Sequence, residues 1–167
     1  EGITSISEHA FENCSGLDKI NIPNSVAGIG RYAFTDCDSI QTIEIPSGVT
    51  TLKEFLFENC KSLKEIVLHN NITSIEQYAF NGCTALLAIE IPYSVERIGL
   101  NCFRNCSSLT LIRLPFIGAS TNANNGYDQV FGYIFGYGTT NASYLGLKDA
   151  TYQFTDETKW YHYYIPT

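Results

Sequence analysis

One pattern recurs five times in this chain at a fixed spacing of 23 residues. Phe11, Phe34, Phe57, Phe80 and Phe103 fall in one column, and Cys14, Cys37, Cys60, Cys83 and Cys106 in the next. Behind them come Leu17, Ile40, Leu63, Leu86 and Leu109, then Ile20, Ile43, Ile66, Ile89 and Ile112. Ile22, Ile45, Leu68, Ile91 and Leu114 close the apolar run, followed by Pro23, Pro46, His69, Pro92 and Pro115. Ile6, Ile29, Leu52, Ile75 and Ile98 form an earlier column. A unit this short has an apolar interior but cannot close a core by itself. Stacked units cover one another, so equal columns become continuous ladders.

Each Leu-x-x-Ile-x-Ile segment carries a short strand. Its period of two turns Ile20 and Ile22 inward and Lys19 and Asn21 outward. Strands of successive coils are expected to pair in parallel, about 4.8 Å apart. The proline after each strand ends it, because proline cannot donate to a ladder. The Ala-Phe-x-x-Cys segment suits a tight helical or 3₁₀ turn with Phe and Cys on one face. A period in the range of 20–29 with a Leu-x-x-Leu-x-Leu core is the mark of a leucine-rich repeat. The expected fold is thus an α/β-type leucine-rich repeat solenoid: a parallel β ladder with short strands, turn or 3₁₀ segments and little regular helix.

The run Ala33-Phe34-x-x-Cys37-x-x-Ile40-x-x-Ile43-x-Ile45-Pro46, followed by Val49-x-x-Leu52, resembles the BspA-like, or Treponema-type, leucine-rich repeat family. The resemblance covers about residues 2–116. Leu56 and Cys102 stand where the pattern has Ala, and His69 where it has Pro. The resemblance implies an extracellular or cell-surface protein, mostly bacterial, used for adhesion and protein binding.

Beyond residue 116 the period lapses, and composition shifts to Gly, Asn, Thr and Tyr. Trp160-x-x-Tyr163-x-Ile165-Pro166 then repeats the spacing of Leu17-x-x-Ile20-x-Ile22-Pro23. The chain therefore reads as one repeat domain, 1–167. It has five regular coils over about 2–116 and an irregular sixth over 117–167, with an insertion at about 119–147. Insertions in solenoids loop out on one face, often the binding face. This one is aromatic, and its rings can pack into an accessory core or meet a ligand. The chain opens on Glu1-Gly2-Ile3, where a coil would enter, and closes on Ile165-Pro166-Thr167, where a coil would leave. It reads as part of a longer protein.

Outward strand positions line the expected concave face. That face is polar at first and turns apolar near Val67, Leu87, Ala88, Tyr93, Leu111 and Phe116. Apolar patches rimmed by charge are candidate contact sites; the alternative is that the segment after 116 covers the patch. The candidate binding residues are Glu44, Glu65, Val67, Glu90, Tyr93, Leu111, Arg113 and Phe116, with Tyr133 and Tyr137 of the insertion. The expected partner is a host or matrix protein or a glycan. The alternative is a structural spacer with no ligand of its own.

Other classes find little support. Seventeen acidic against ten basic residues give a net charge of −7, without a Lys/Arg run. The footprint of a nucleic-acid binder is missing, as is that of a surface seeking anionic lipid. No apolar run reaches the roughly 18 residues of a membrane-spanning helix, so this segment is not expected to insert into a membrane. His9, His69 and His162 are scattered, and no serine sits in a Gly-x-Ser-x-Gly context, so no catalytic set is assigned and no cofactor is expected. Glu44, Glu65 and Glu90 share a face that reads as solvated rather than catalytic. Five of six cysteines sit in one column, which favours buried structural thiols. A Cys102–Cys106 disulfide or a metal site are the other readings. Four Asn-x-Ser/Thr sequons begin at Asn13, Asn71, Asn105 and Asn141; two have a column cysteine at the middle position.

Overall fold

The computed structural model describes residues 2–114, 152–154 and 161–164. The 23-residue period becomes a stack of coils carrying two rows of strands. Strands β1 (Ser5–Ile6), β2 (Gly28–Ile29), β4 (Thr51–Leu52), β6 (Ser74–Ile75) and β8 (Arg97–Ile98) occupy one side. Strands β3 (Thr42–Glu44), β5 (Glu65–Val67), β7 (Ala88–Glu90) and β9 (Leu111–Leu114) occupy another. Register is set by the repeat. Ile43 lies opposite Ile66, Ile89 opposite Ile112, and Leu52 opposite Ile75, all in parallel pairs. The outer strands read exposed–buried–exposed, as their period of two requires.

Neither row is one continuous ladder, and on the first side β2 does not pair with β4. β3 pairs with β5 and β7 with β9, but the sheet divides between β5 and β7. The first coil forms no strand at residues 19–21, and its Phe11, Leu17 and Ile20 are only partly buried.

The Ala-Phe-x-x-Cys segment is not a helical or 3₁₀ turn but a run of overlapping turns that doubles as a third ladder. In the third coil the N–H groups of Leu56, Glu58 and Cys60 turn back to the carbonyls of Lys53, Phe55 and Phe57. Those of Phe55, Phe57 and Asn59 point instead to Gln77, Ala79 and Asn81 of the next coil. The alternation needs left-handed backbone at two columns. One holds His9, Tyr32, Phe55, Tyr78 and Asn101, at φ between 57° and 60°. The other holds Asn13, Asp36, Asn59, Gly82 and Asn105, residue types that tolerate this region. Among the described residues there is no helix.

Phe34, Phe57, Phe80 and Phe103 are fully buried and stack, with centroids 5.5–5.6 Å apart. Gly30 and Gly99 serve the close approach of neighbouring coils. A Cβ on Gly30 would lie 2.4 Å from the Glu8 nitrogen, and one on Gly99 2.2 Å from the Gln77 nitrogen. Only Gly82 among the described glycines has a positive φ.

The strand β11 (Tyr161–Tyr164) joins the outer edge of β9, with Tyr163 opposite Ile112, and β10 (Tyr152–Phe154) joins β11. Tyr163 meets the partner its spacing suggests. Both strands run antiparallel, however, whereas a coil strand would run parallel. The proposed insertion at 119–147 lies outside the described residues, as do Trp160, Ile165 and Pro166.

Candidate functional site

The sequence places six of its candidate residues on the outer positions of β3, β5, β7 and β9, with Tyr93 and Phe116 on the rim beyond the strands and Tyr133 and Tyr137 in the insertion. Of these, Glu65, Val67, Glu90, Tyr93, Leu111 and Arg113 come together around one open depression of about 730 Å³. Lys64, Leu87 and Ala88 are among the other residues that line it, and it overlies the division between β5 and β7. Val67 is 67% exposed, Leu87 55% and Tyr93 47%. A second depression of about 600 Å³ lies over the first two coils. It is lined by Lys19, Asn21, Asn24, Thr42 and Glu44 among others, so Glu44 sits apart from the apolar group. Phe116, Tyr133 and Tyr137 lie outside the described residues.

Charges on this face are unevenly matched. Arg113 donates to Glu90 at 2.8 Å across adjacent strands. Lys64 turns its ammonium to the Gln41 side-chain oxygen at 3.1 Å. Glu44 and Glu65 have no ion-pair or hydrogen-bond partner among the described residues. Loss of hydration, and after it the Glu90 carboxylate, push the Tyr93 phenol above its ordinary value.

Reasoning from the sequence missed a second aromatic stack, on the turn side. His9, Tyr32, Phe55 and Tyr78 stack in order, with centroids 4.7–4.9 Å apart. The Asn101 side-chain amide donates to the Tyr78 hydroxyl at 2.6 Å and ends the row. The signal was present as a ring at every 23rd position from His9 to Tyr78. Because both faces of Tyr32 and Phe55 are taken up by neighbouring rings, the middle of the row offers edges rather than a stacking platform for a ligand.

All six cysteines are free thiols; Cys14 is exposed and the other five are buried. The column thiols do more than fill space. Cys37, Cys60, Cys83 and Cys106 each donate to the carbonyl of Phe11, Phe34, Phe57 or Phe80, at 3.1–3.2 Å. Burial raises all of these thiols, Cys37 to about 11 and Cys106 to about 12, so none is poised as a nucleophile. No group of three or more His, Cys, Asp or Glu suited to a metal ion occurs among the described residues. His9 donates to Glu12 at 2.8 Å on the surface. His69 accepts from the Asn71 N–H through Nδ1, so its Nε2 carries the proton given to the Pro46 carbonyl at 3.0 Å.

Stacked parallel strands, a ring column and a column of buried thiols define a leucine-rich repeat solenoid. More narrowly, the chain belongs to the BspA type leucine rich repeat region family, whose profile matches residues 1–125 in six copies. It is similar to a leucine-rich repeat protein of Bacteroides ovatus, with 36% identity and a TM-score of 0.64, over 66% of this chain and 28% of that one. It is also similar to the T. pallidum leucine rich repeat protein, with 33% identity and a TM-score of 0.63, over 65% of this chain and 50% of that one. A leucine rich cell surface protein of Faecalibacterium prausnitzii matches with 35% identity and a TM-score of 0.54, over 66% of this chain and 36% of that one. The chain thus spans half or less of the length of these relatives. None of the curated proteins matches it. No helix among the described residues is long and apolar enough to cross a membrane.

Proposed function

We propose that this chain is a non-catalytic recognition module on a bacterial cell surface, which binds a host or matrix protein or a glycan through its β3–β9 strand face. The observation that carries this reading is the exposure of Val67 and Leu87 in a depression bordered by Lys64, Glu65, Glu90 and Arg113. An exposed apolar patch rimmed by charge has a cost in water that a partner would relieve. The surface location is supported by the family and by the F. prausnitzii protein, which is called a cell surface protein. Thiols raised by burial and the scattered histidines favour binding over catalysis.

The test is a capture screen of the immobilised chain against extracellular-matrix proteins and a glycan array, beside Val67→Ser/Leu87→Ser. Both side chains are exposed, so the double variant keeps its fold. Capture by the native chain that the variant loses supports the reading. Capture equal in both moves binding off this face. A folded chain that captures nothing favours a spacer within a larger surface protein.

A further inference from the structure

The unpaired carboxylates beside the apolar depression say what kind of partner the strand face fits. Four pairs of charges one period apart join facing coils of the solenoid. Arg31 meets Glu54, Lys53 meets Glu76, Lys61 meets Asp38 and Arg113 meets Glu90, all at 2.8–3.1 Å. Glu44 and Glu65 have no such partner among the described residues, as Glu8, Asp18 and Glu96 have none, but they alone of these five lie on paired strands beside an exposed aliphatic side chain. One period from Glu44 stand Asn21 and Val67, and one period from Glu65 stand Thr42 and Ala88. The register of β3 and β5 sets Glu44 opposite Val67 and Glu65 opposite Thr42, so the two carboxylates lie diagonally on paired strands. Both are exposed, and Val67 shares their face: it is the next outward residue after Glu65 along β5. Lys19 borders Glu44 in the polar depression but makes no ion pair with it.

Two carboxylates beside an exposed aliphatic side chain complement one kind of group closely: an ammonium or guanidinium on a hydrocarbon stem. The stem lies along Val67 and the head meets the carboxylates, as long basic side chains commonly dispose themselves. Beyond Val67, exposed Leu87 leaves apolar room for a second side chain. In an extended chain, side chains on one face recur every two residues, about 6.6 Å apart, which is also the spacing of Glu65 and Val67 along β5.

Resting on the recognition role proposed above, we infer that the strand face takes an extended polypeptide segment with a lysine or arginine two residues from an aliphatic side chain. The basic head sits at Glu44 and Glu65 with its stem along Val67, and the aliphatic group sits over Leu87. Because the carboxylates are exposed, the charge term is screened by salt.

The probe is an end-blocked, fluorescently labelled peptide of Lys-Ser-Leu-Ser repeated twice, beside a twin with glutamate for lysine. Anisotropy titrations are expected to show the lysine peptide binding the native chain at least tenfold more tightly than its twin. Glu44→Gln/Glu65→Gln should weaken it about fivefold, in keeping with two exposed charge contacts, and flatten its salt dependence. Glu8→Gln/Glu96→Gln removes the same net charge outside both depressions and should leave binding within about twofold. Equal binding of the two peptides, no binding of either, or equal loss in both double variants would overturn the inference. The two readings fail separately. A matrix protein or glycan whose capture is lost in Val67→Ser/Leu87→Ser but kept in Glu44→Gln/Glu65→Gln overturns the basic segment and leaves the recognition face standing.

Discussion

The Cys60 thiol donates to the Phe34 carbonyl oxygen at 3.1 Å, reaching back from its own coil to the one before. The column of cysteines is therefore a row of inter-coil fasteners as well as a row of small apolar groups. Cys60→Ala removes the donor and leaves a void beside fully buried Phe57 and Leu63. It should cost about 2 kcal/mol, combining the lost hydrogen bond with a small cavity. Urea unfolding read by circular dichroism would measure it; an unchanged midpoint would reduce the thiol to filler.

The same thiols make the fold sensitive to alkali. Cys37 titrates at about 11 in the fold against an ordinary 9.0, chiefly because burial disfavours the thiolate. Its raised value means that the unfolded chain gives up its proton first as pH rises. Stability is complete below pH 9.0 and declines as pH climbs towards about 11. Unfolding midpoints are expected to fall over this window, and to fall less in Cys37→Ala, which has no thiol there to ionise. A decline of equal slope in both proteins would assign it to other groups.

Cys14 should be the one thiol of this chain that labels readily in the folded state, because it alone of the six is exposed. Iodoacetamide at pH 8, followed by mass spectrometry, is expected to add one carbamidomethyl group to the folded chain. In denaturant it should add six, the full count of cysteines. Native labelling at Cys83 or Cys102 would show that the stacked core opens.

How much of this could be read in advance depends on the physical signal. The buried columns were legible because a fixed period fixes register, and Phe57 above Phe80 or Ile43 beside Ile66 follows from counting. The outward residues of the depression were legible from the period of two, and so was its apolar half at Val67, Leu87 and Tyr93. The left-handed columns were hidden because His9, Tyr32, Phe55 and Tyr78 stand where glycine would have announced the backbone. The role of Gly30 and Gly99 was hidden for the opposite reason: glycine suggests a turn but equally permits close approach. The sense of β11 could not be read, since a period of two is the same in both directions and sets Tyr163 against Ile112 either way. The division of the sheet between β5 and β7 leaves no trace in residues that match the repeat in both strands.

The two crowded glycines make a sharp contrast with Gly16, around which a Cβ would meet nothing within 4 Å. Gly99→Ala drives its methyl into the backbone of Glu76 and Gln77, which belongs to the neighbouring coil and cannot step aside alone. It should destabilise by roughly 1–3 kcal/mol, the range for overpacking. Gly16→Ala should leave the urea midpoint within about 0.5 kcal/mol of the native chain, as exposed substitutions usually do. A Gly99→Ala protein as stable as Gly16→Ala would mean that adjacent coils slide apart easily.

Phe55 lies at φ +59°, in a region that non-glycine residues seldom occupy, and it stacks between Tyr32 and Tyr78 at 4.8 and 4.9 Å. Stacking thus offsets the backbone penalty. Phe55→Asn supplies a side chain that tolerates this backbone but removes both ring contacts. It should cost roughly 1–3 kcal/mol, two aromatic pairs' worth. Phe55→Tyr keeps the ring and should be close to neutral. If Phe55→Asn proved as stable as the native chain, the backbone, with its N–H bonded to the Gln77 carbonyl, would be holding the column in place without help from the rings. The mutation would then shift only the near-ultraviolet signal of the two flanking tyrosines.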